Sequence, residues 1–206
     1  MKKMNLNIIG FFLLASFTAC TNDNTTASTT TTDSTTVKSV DTSNGMNNNA
    51  PATTTPTYSK MPLSKDDSMF VMKAAMGGMM EVDAGNLAQQ NAANDRVKDF
   101  GMMLVKDHSK ANAELTSIAA AKGLTVPATV NADMKKKEEE MAKMKGKSFD
   151  SHYMSMMLTD HKKDIADFEK AASSANDPDL KAFADKTLPV LKMHLDSAQA
   201  ISKMHM

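Results

Sequence analysis

The chain has one cysteine (Cys20), no tryptophan and two tyrosines, and only 5% of its residues are aromatic. A single cysteine excludes an internal disulfide, and nothing in the sequence resembles a cysteine nucleophile. Excess charge of one sign is also missing: 24 basic residues face 24 acidic ones. With no basic stripe and no interleaved aromatics, nucleic acid is not an expected partner. A dinucleotide glycine pattern, a phosphate loop and a serine elbow are all absent, which removes the commonest enzyme classes. Alternating β-branched runs and hairpin turns are absent too, which removes a sheet. The main uninterrupted apolar run, Ile8 to Phe17, is too short to span a bilayer.

That run is the right length for the core of an export signal. It follows Lys2 and Lys3 and ends in Phe17-Thr18-Ala19-Cys20. The pattern resembles a bacterial lipoprotein signal, in which the cysteine becomes the lipid-modified first residue. Residues 1–20 are therefore expected to be a signal peptide and Cys20 a lipidation site. Membrane contact would run through that lipid. The expected location is the bacterial cell envelope, at the outer membrane, facing the periplasm or the surface. Residues 21–62 are rich in Thr, Asn and Ser and hold few large apolar groups. Such a segment cannot bury enough surface to offset its ordering entropy, so it is expected to be a disordered tether.

Residues 63–206 suffice for one domain, and their helix punctuation is legible. Ser64-Lys65-Asp66-Asp67 predicts an N-cap with acid in the first turn. The first helix then runs to about Asn91, with Phe70, Ala74, Gly77, Glu81, Ala84 and Ala88 on one face. Asn94-Asp95 restarts the chain. Val97, Phe100, Leu104, His108, Ala111, Leu115 and Ile118 form a second stripe that stops at Gly123. Ser148 is expected to cap a third helix, with Leu158, His161, Ile165, Phe168 and Ala172 on its stripe. Asp177-Pro178 opens a fourth, since proline at the first helical position loses nothing. Between Gly123 and Lys147 lies a charged connector with a thin edge of Met134, Met141 and Met144, enough for a short helix. It is too long for a simple hairpin and long enough for a crossover. The segments 100–115 and 153–168 also echo one another around Asp-His, as two helical hairpins would. The expected fold is all-α: a four-helix ferritin-like bundle with a long crossover between the second and third long helices.

Heights along such a bundle follow from 1.5 Å per residue. Glu81 stands about 18 Å before the first turn and His108 about 21 Å after it. His161 and His194 stand about 24 and 25 Å from the turn near Asp177. If the second and third helices start from the same end, all four fall within about one helical turn of a common level. Three imidazoles and a carboxylate converging there suit a single zinc or iron ion, so Glu81, His108, His161 and His194 are the candidate metal ligands. The same four groups also suit a buried polar layer that only fixes helix register. Asp107 and Asp160, each one residue before a histidine, are turned about 100° away, toward solvent or a neighbouring helix. His152 is expected at the surface. Pro189 is expected to bend the fourth helix.

Di-iron oxidases of the ferritin-like class carry a Glu on two helices and Glu-x-x-His on the other two. Val105 and Leu191 stand where the glutamates of those motifs belong, and His161 replaces a third-helix carboxylate. Bridging carboxylates are missing, so no enzyme is expected. Seventeen of the twenty methionines occur from Met61 onward, and thioethers with imidazole favour Cu(I). Most of them sit at core spacing, where methionine is a gap-filler.

EVDAGNLA, VKDFGMMLVKDH, FDSHYMSMMLTDHKKDIADFEKAA and DPDLKAFADKTLPVLKMHLDSA resemble the family of domain of unknown function 4142, over roughly residues 64 to 200. Glu81, Asp107, His108, Phe149, Asp150, Tyr153, His161 and His194 coincide with that family's pattern, and His152 does not. The resemblance implies an exported bacterial protein with a ferritin-like bundle and no established activity. Two functional readings follow: a non-enzymatic envelope lipoprotein holding one metal ion, or a structural or stress-related module that binds a partner and has only a polar His/Glu layer.

Overall fold

The computed structural model describes residues 57–204; the expected signal, Cys20, most of the expected tether and the terminal His205-Met206 lie outside them. Within that range there are five helices and no strand: α1 (Lys65–Asn91), α2 (Asp95–Ala121), α3 (Ala132–Ala142), α4 (Gly146–Ser174) and α5 (Pro178–Ser202). No helix among the described residues is long and apolar enough to cross a membrane.

Each boundary has a local cause. Ser64 Oγ accepts the Asp67 N–H at the start of α1. Asn94 Oδ1 accepts the Arg96 N–H at the start of α2. Asp177 Oδ1 accepts the Asp179 and Leu180 N–H groups beside Pro178 at the start of α5. Gly123, at φ 75°, closes α2. Its N–H returns to the Ala120 carbonyl and the Leu124 N–H to Ala119, the paired bonds that a left-handed residue makes possible. Ser148 does not cap α4. The helix begins two residues earlier, after Lys145, whose side chain makes no cap bond; the backbone reverses at Gly146, φ 63°, instead. α5 runs unbroken through Pro189.

α1 packs along α2 and α4 along α5, with α2 also on α5 and α1 on α4. The pair joined by the connector, α2 and α4, is not among the closely packed pairs, so the chain crosses the bundle between them. α3, part of that connector, packs on α1 and α4. Its buried Met141 packs with Phe100, Phe149 and Tyr153.

Two buried aspartates lock the ends reciprocally. Asp150, in the first turns of α4, accepts the Ala93 and Asn94 N–H groups of the α1–α2 turn at 3.1 and 3.0 Å. Asp67, in the first turn of α1, accepts the Asn176 and Asp177 N–H groups of the α4–α5 turn at 3.2 and 3.1 Å. The first pair places the starts of α2 and α4 at the same end, as the height estimate required. Lys122, buried at the end of α2, bridges Asp177 at 2.8 Å and Asp179 at 2.6 Å, and donates to the Ser59 carbonyl. Burial alone would lower its pKa, but the bonds to those carboxylates raise it.

α1 and α2 approach backbone to backbone. A Cβ on Gly85 would meet the Gly101 carbonyl oxygen at 2.7 Å, and one on Gly101 would meet the Gly85 oxygen at 2.9 Å. The core forms two clusters. One surrounds Phe100, Phe149, Tyr153 and Met157; the other surrounds Leu115, Ile118, Phe168 and Phe183. The layer between them is polar.

Candidate metal centre

Glu81 of α1, His108 of α2, His161 of α4 and His194 of α5 meet in that layer. All four are buried, His161 and His194 completely. Ring centroids lie 5.8 Å apart for His108–His161, 5.3 Å for His108–His194 and 5.3 Å for His161–His194. One nitrogen from each ring falls within 4.8 Å of the other two. Phe100 forms part of the wall, 6.4 Å from the His161 ring.

The outer nitrogens are secured one by one. His108 Nδ1 stands 3.1 Å from Glu81 Oε2. His161 Nδ1 faces the Met157 carbonyl one turn back at 3.0 Å, with Glu81 Oε1 next at 3.3 Å. His194 Nε2 stands 3.1 Å from Asp107 Oδ2. The inner nitrogens have no such acceptors. His161 Nε2 and His194 Nδ1 face each other at 3.3 Å, and His108 Nε2 is buried without a partner.

Burial shapes the charge state. It pulls the His108 imidazole down to about 3, with His194 and His161 adding to the effect. It pulls His161 down to about 4, with His194 adding and the Met157 carbonyl opposing. His194 is lowered by burial and partly restored by Asp107. Glu81 is raised well above the usual carboxylate range, first by burial and then by Asp164 and Asp160. Asp164 is itself pushed up to about 6, mainly by burial. The layer therefore holds three neutral imidazoles, the form that ligates metals.

The donor set fits a metal ion. Nitrogens about 2.0–2.1 Å from a tetrahedral ion sit about 3.3 Å apart, the separation already present between His161 and His194. Ligating histidines normally donate their other N–H to a carboxylate or carbonyl, as all three rings are placed to do. The structure puts Glu81 against the outer nitrogens of His108 and His161, not within the cluster of inner nitrogens.

Asp107 does reach a neighbouring helix, where it holds His194. Asp160 is partly buried with Oδ2 unpaired. His152 is exposed. Asp164 and the Met157 carbonyl are participants that sequence reasoning missed. Asp164 lies one turn beyond His161, and that spacing was its only signal. The methionine pairs divide between core and surface: Met80 and Met157 are buried, whereas Met102 is exposed.

No curated protein gives a significant match. A solved structure described as "Crystal structure of DUF305 fragment from Deinococcus radiodurans" superposes with a TM-score of 0.60 and 7% identity, covering 69% of this chain and 98% of that one. At that identity the likeness extends to the fold alone. A family profile described as "Domain of unknown function (DUF4142)" matches residues 52–201, so the chain belongs to the DUF4142 family.

Proposed function

We propose that the protein is a non-enzymatic module of the bacterial envelope that holds one zinc or iron ion through His108, His161 and His194. Glu81 and Asp107 orient the rings rather than ligate. One observation carries the reading. His161 Nδ1 faces acceptors, so its proton belongs there, and His194 Nε2 faces the Asp107 carboxylate, so its proton belongs there. Two lone pairs then oppose each other across 3.3 Å. A shared proton would relieve them only by charging a ring in a site that suppresses imidazolium. A divalent cation relieves them without that cost.

The raised pKa of Glu81 favours a second reading, a metal-free polar layer. A protonated Glu81 would donate to His161 Nδ1, and protons would pass from ring to ring as far as Asp107. That arrangement turns the Nδ1 lone pair of His161 against the Met157 carbonyl oxygen at 3.0 Å, which counts against it.

The diagonal placement of α2 and α4 supports a ferritin-like crossover bundle. The leader ending in Cys20 supports lipid anchoring at the outer membrane, with residues 21–62 as the spacer. Elemental analysis of the protein from residue 21 onward, before and after chelation, tests the metal reading. About one zinc or iron per chain is the expected result. Stoichiometry near zero after metal-supplemented refolding leaves the polar layer.

A further inference from the structure

A cavity of about 120 Å³ lies between α2 and α5 and is lined by Asp107, His108 and His194 together with Ala111, Val190 and Lys186. Its inner end is the buried pair of rings; its outer end is exposed, where Lys186 bonds Glu114 at 2.6 and 2.8 Å. The cavity thus leads from solvent to the histidine layer. His108, one of its lining residues, carries the buried nitrogen without a partner, Nε2.

Protein donors around the centre stop at three. Glu81 Oε2 and Asp107 Oδ2 face the outer nitrogens of His108 and His194, and Glu81 Oε1 is buried without a hydrogen-bond partner beside the outer nitrogen of His161. No fourth His, Cys, Asp or Glu joins the cluster among the described residues. Structural zinc sites are closed by four protein ligands, whereas three ligands leave a position for water or an exogenous donor. From these two independent features we infer that the ion has one open coordination position facing the α2–α5 cavity, and that this position takes a small inorganic ligand: water at rest, exchanged for an anion of about three heavy atoms. The inference rests on the three-histidine metal reading and adds to it a site for a ligand from solution.

Size sets the ligand class. The cavity holds only a few water-sized groups; metabolite-sized ligands need roughly 300 Å³ or more. Ala111, Val190 and Leu191 give much of the lining an apolar character, so a compact donor with few hydrogen-bonding demands fits best. Lys110 and Lys186 are balanced in the lining by Asp107 and Glu114, and Lys186 is paired with Glu114, so the preference for an anion comes from the charge of a cation held by neutral imidazoles.

The test uses the full chain loaded with Co(II), whose visible bands report coordination number, and azide as the probe ligand. Co(II) should bind one per chain, and azide should shift the bands saturably. Val190→Phe, which fills the cavity without replacing a ligand, should keep the bound Co(II) and weaken azide binding at least tenfold. Ala111→Leu serves the same purpose on the opposite wall if the first variant loses helicity. Bound Co(II) whose spectrum ignores azide means a closed fourth position and overturns the inference alone. An azide shift of unchanged affinity in the filled variants overturns the route through the cavity. Failure of Co(II) to bind overturns the metal reading, and the inference with it.

Discussion

His161 Nε2 and His194 Nδ1 point at each other across 3.3 Å in a layer where both rings are completely buried. At that distance the two nitrogens are in contact, and no side chain fits between them. Both belong to rings whose other nitrogens already face acceptors, so the approach of two lone pairs calls for a cation or a shared proton.

Replacing His161 with Phe keeps an aromatic ring in the layer, slightly larger than imidazole, and removes a ligand. In the wild type, metal at about 100 times its dissociation constant should add about 2.7 kcal/mol. For a domain of this size that is a Tm rise of roughly 8 °C. Chelator should abolish the rise in the wild type and have no effect on His161→Phe. Differential scanning calorimetry with and without chelator checks this, and a wild-type Tm indifferent to chelator would sink the metal reading.

Acid should unfold the metal-free protein through the same rings. The folded-state pKa of His161, about 4, and of His108, about 3, lie below the unfolded value of 6.5. Groups depressed in this way bind more protons when unfolded. Their stability is fully present above pH 6.5 and is lost as pH falls through 4 and then 3. For buried His161 the loss is on the order of 3 kcal/mol. Asp164 works in the opposite sense: pushed up to about 6, it contributes stability at low pH that disappears as pH rises through 6. Asp164→Asn should therefore stabilise the chelated protein at pH 7.5 by about 1 kcal/mol and leave it unchanged near pH 3. Urea titrations at the two pH values provide the measurement.

The helices were legible in the sequence because their ends carry chemistry. Ser64, Asn94, Gly123 and Asp177 each mark a boundary that the backbone uses. The common height of Glu81, His108, His161 and His194 was legible for a similar reason: rise per residue is fixed, and the turns were already placed. Register within α1 was less legible. Its deepest positions in the first half are Val71, Ala75 and Gly78, one residue beyond the expected Phe70, Ala74 and Gly77. Alanine, glycine and methionine on adjoining faces give too little contrast to choose between them. Which ring nitrogen meets which acceptor was not legible at all. Side-chain rotation decides it, and the acceptors include a backbone carbonyl that no residue pattern announces.

Cys20→Ser tests the anchor independently of the bundle. If the leader directs lipid attachment, the wild type should sediment with membranes and release only into detergent. The serine variant should move almost entirely to the soluble fraction, with helical content unchanged by circular dichroism. A variant that still sediments would show that something other than an N-terminal lipid holds the protein at the membrane.

Asp67 and Asp150 make the strongest claim about the fold, because each serves the hairpin to which it does not belong. Either aspartate changed to alanine leaves two N–H groups in the opposite turn, most of them only partly buried, without their acceptor. Charge-assisted bonds of this kind are worth about 1.5–3 kcal/mol each, partly recovered where water can reach the turn. Each variant should therefore lose about 2–4 kcal/mol. The two sit at opposite ends of the bundle, roughly 35 Å apart along α1, and share no hydrogen-bond partner, so the losses should add to within about 0.5 kcal/mol in the double variant. Asparagine at either position can still accept one bond, and should recover about half of the alanine loss. Chemical denaturation of the five variants would decide the matter. If alanine at either site costs under about 0.5 kcal/mol, the aspartates do not join the two hairpins, and the core clusters alone hold them together.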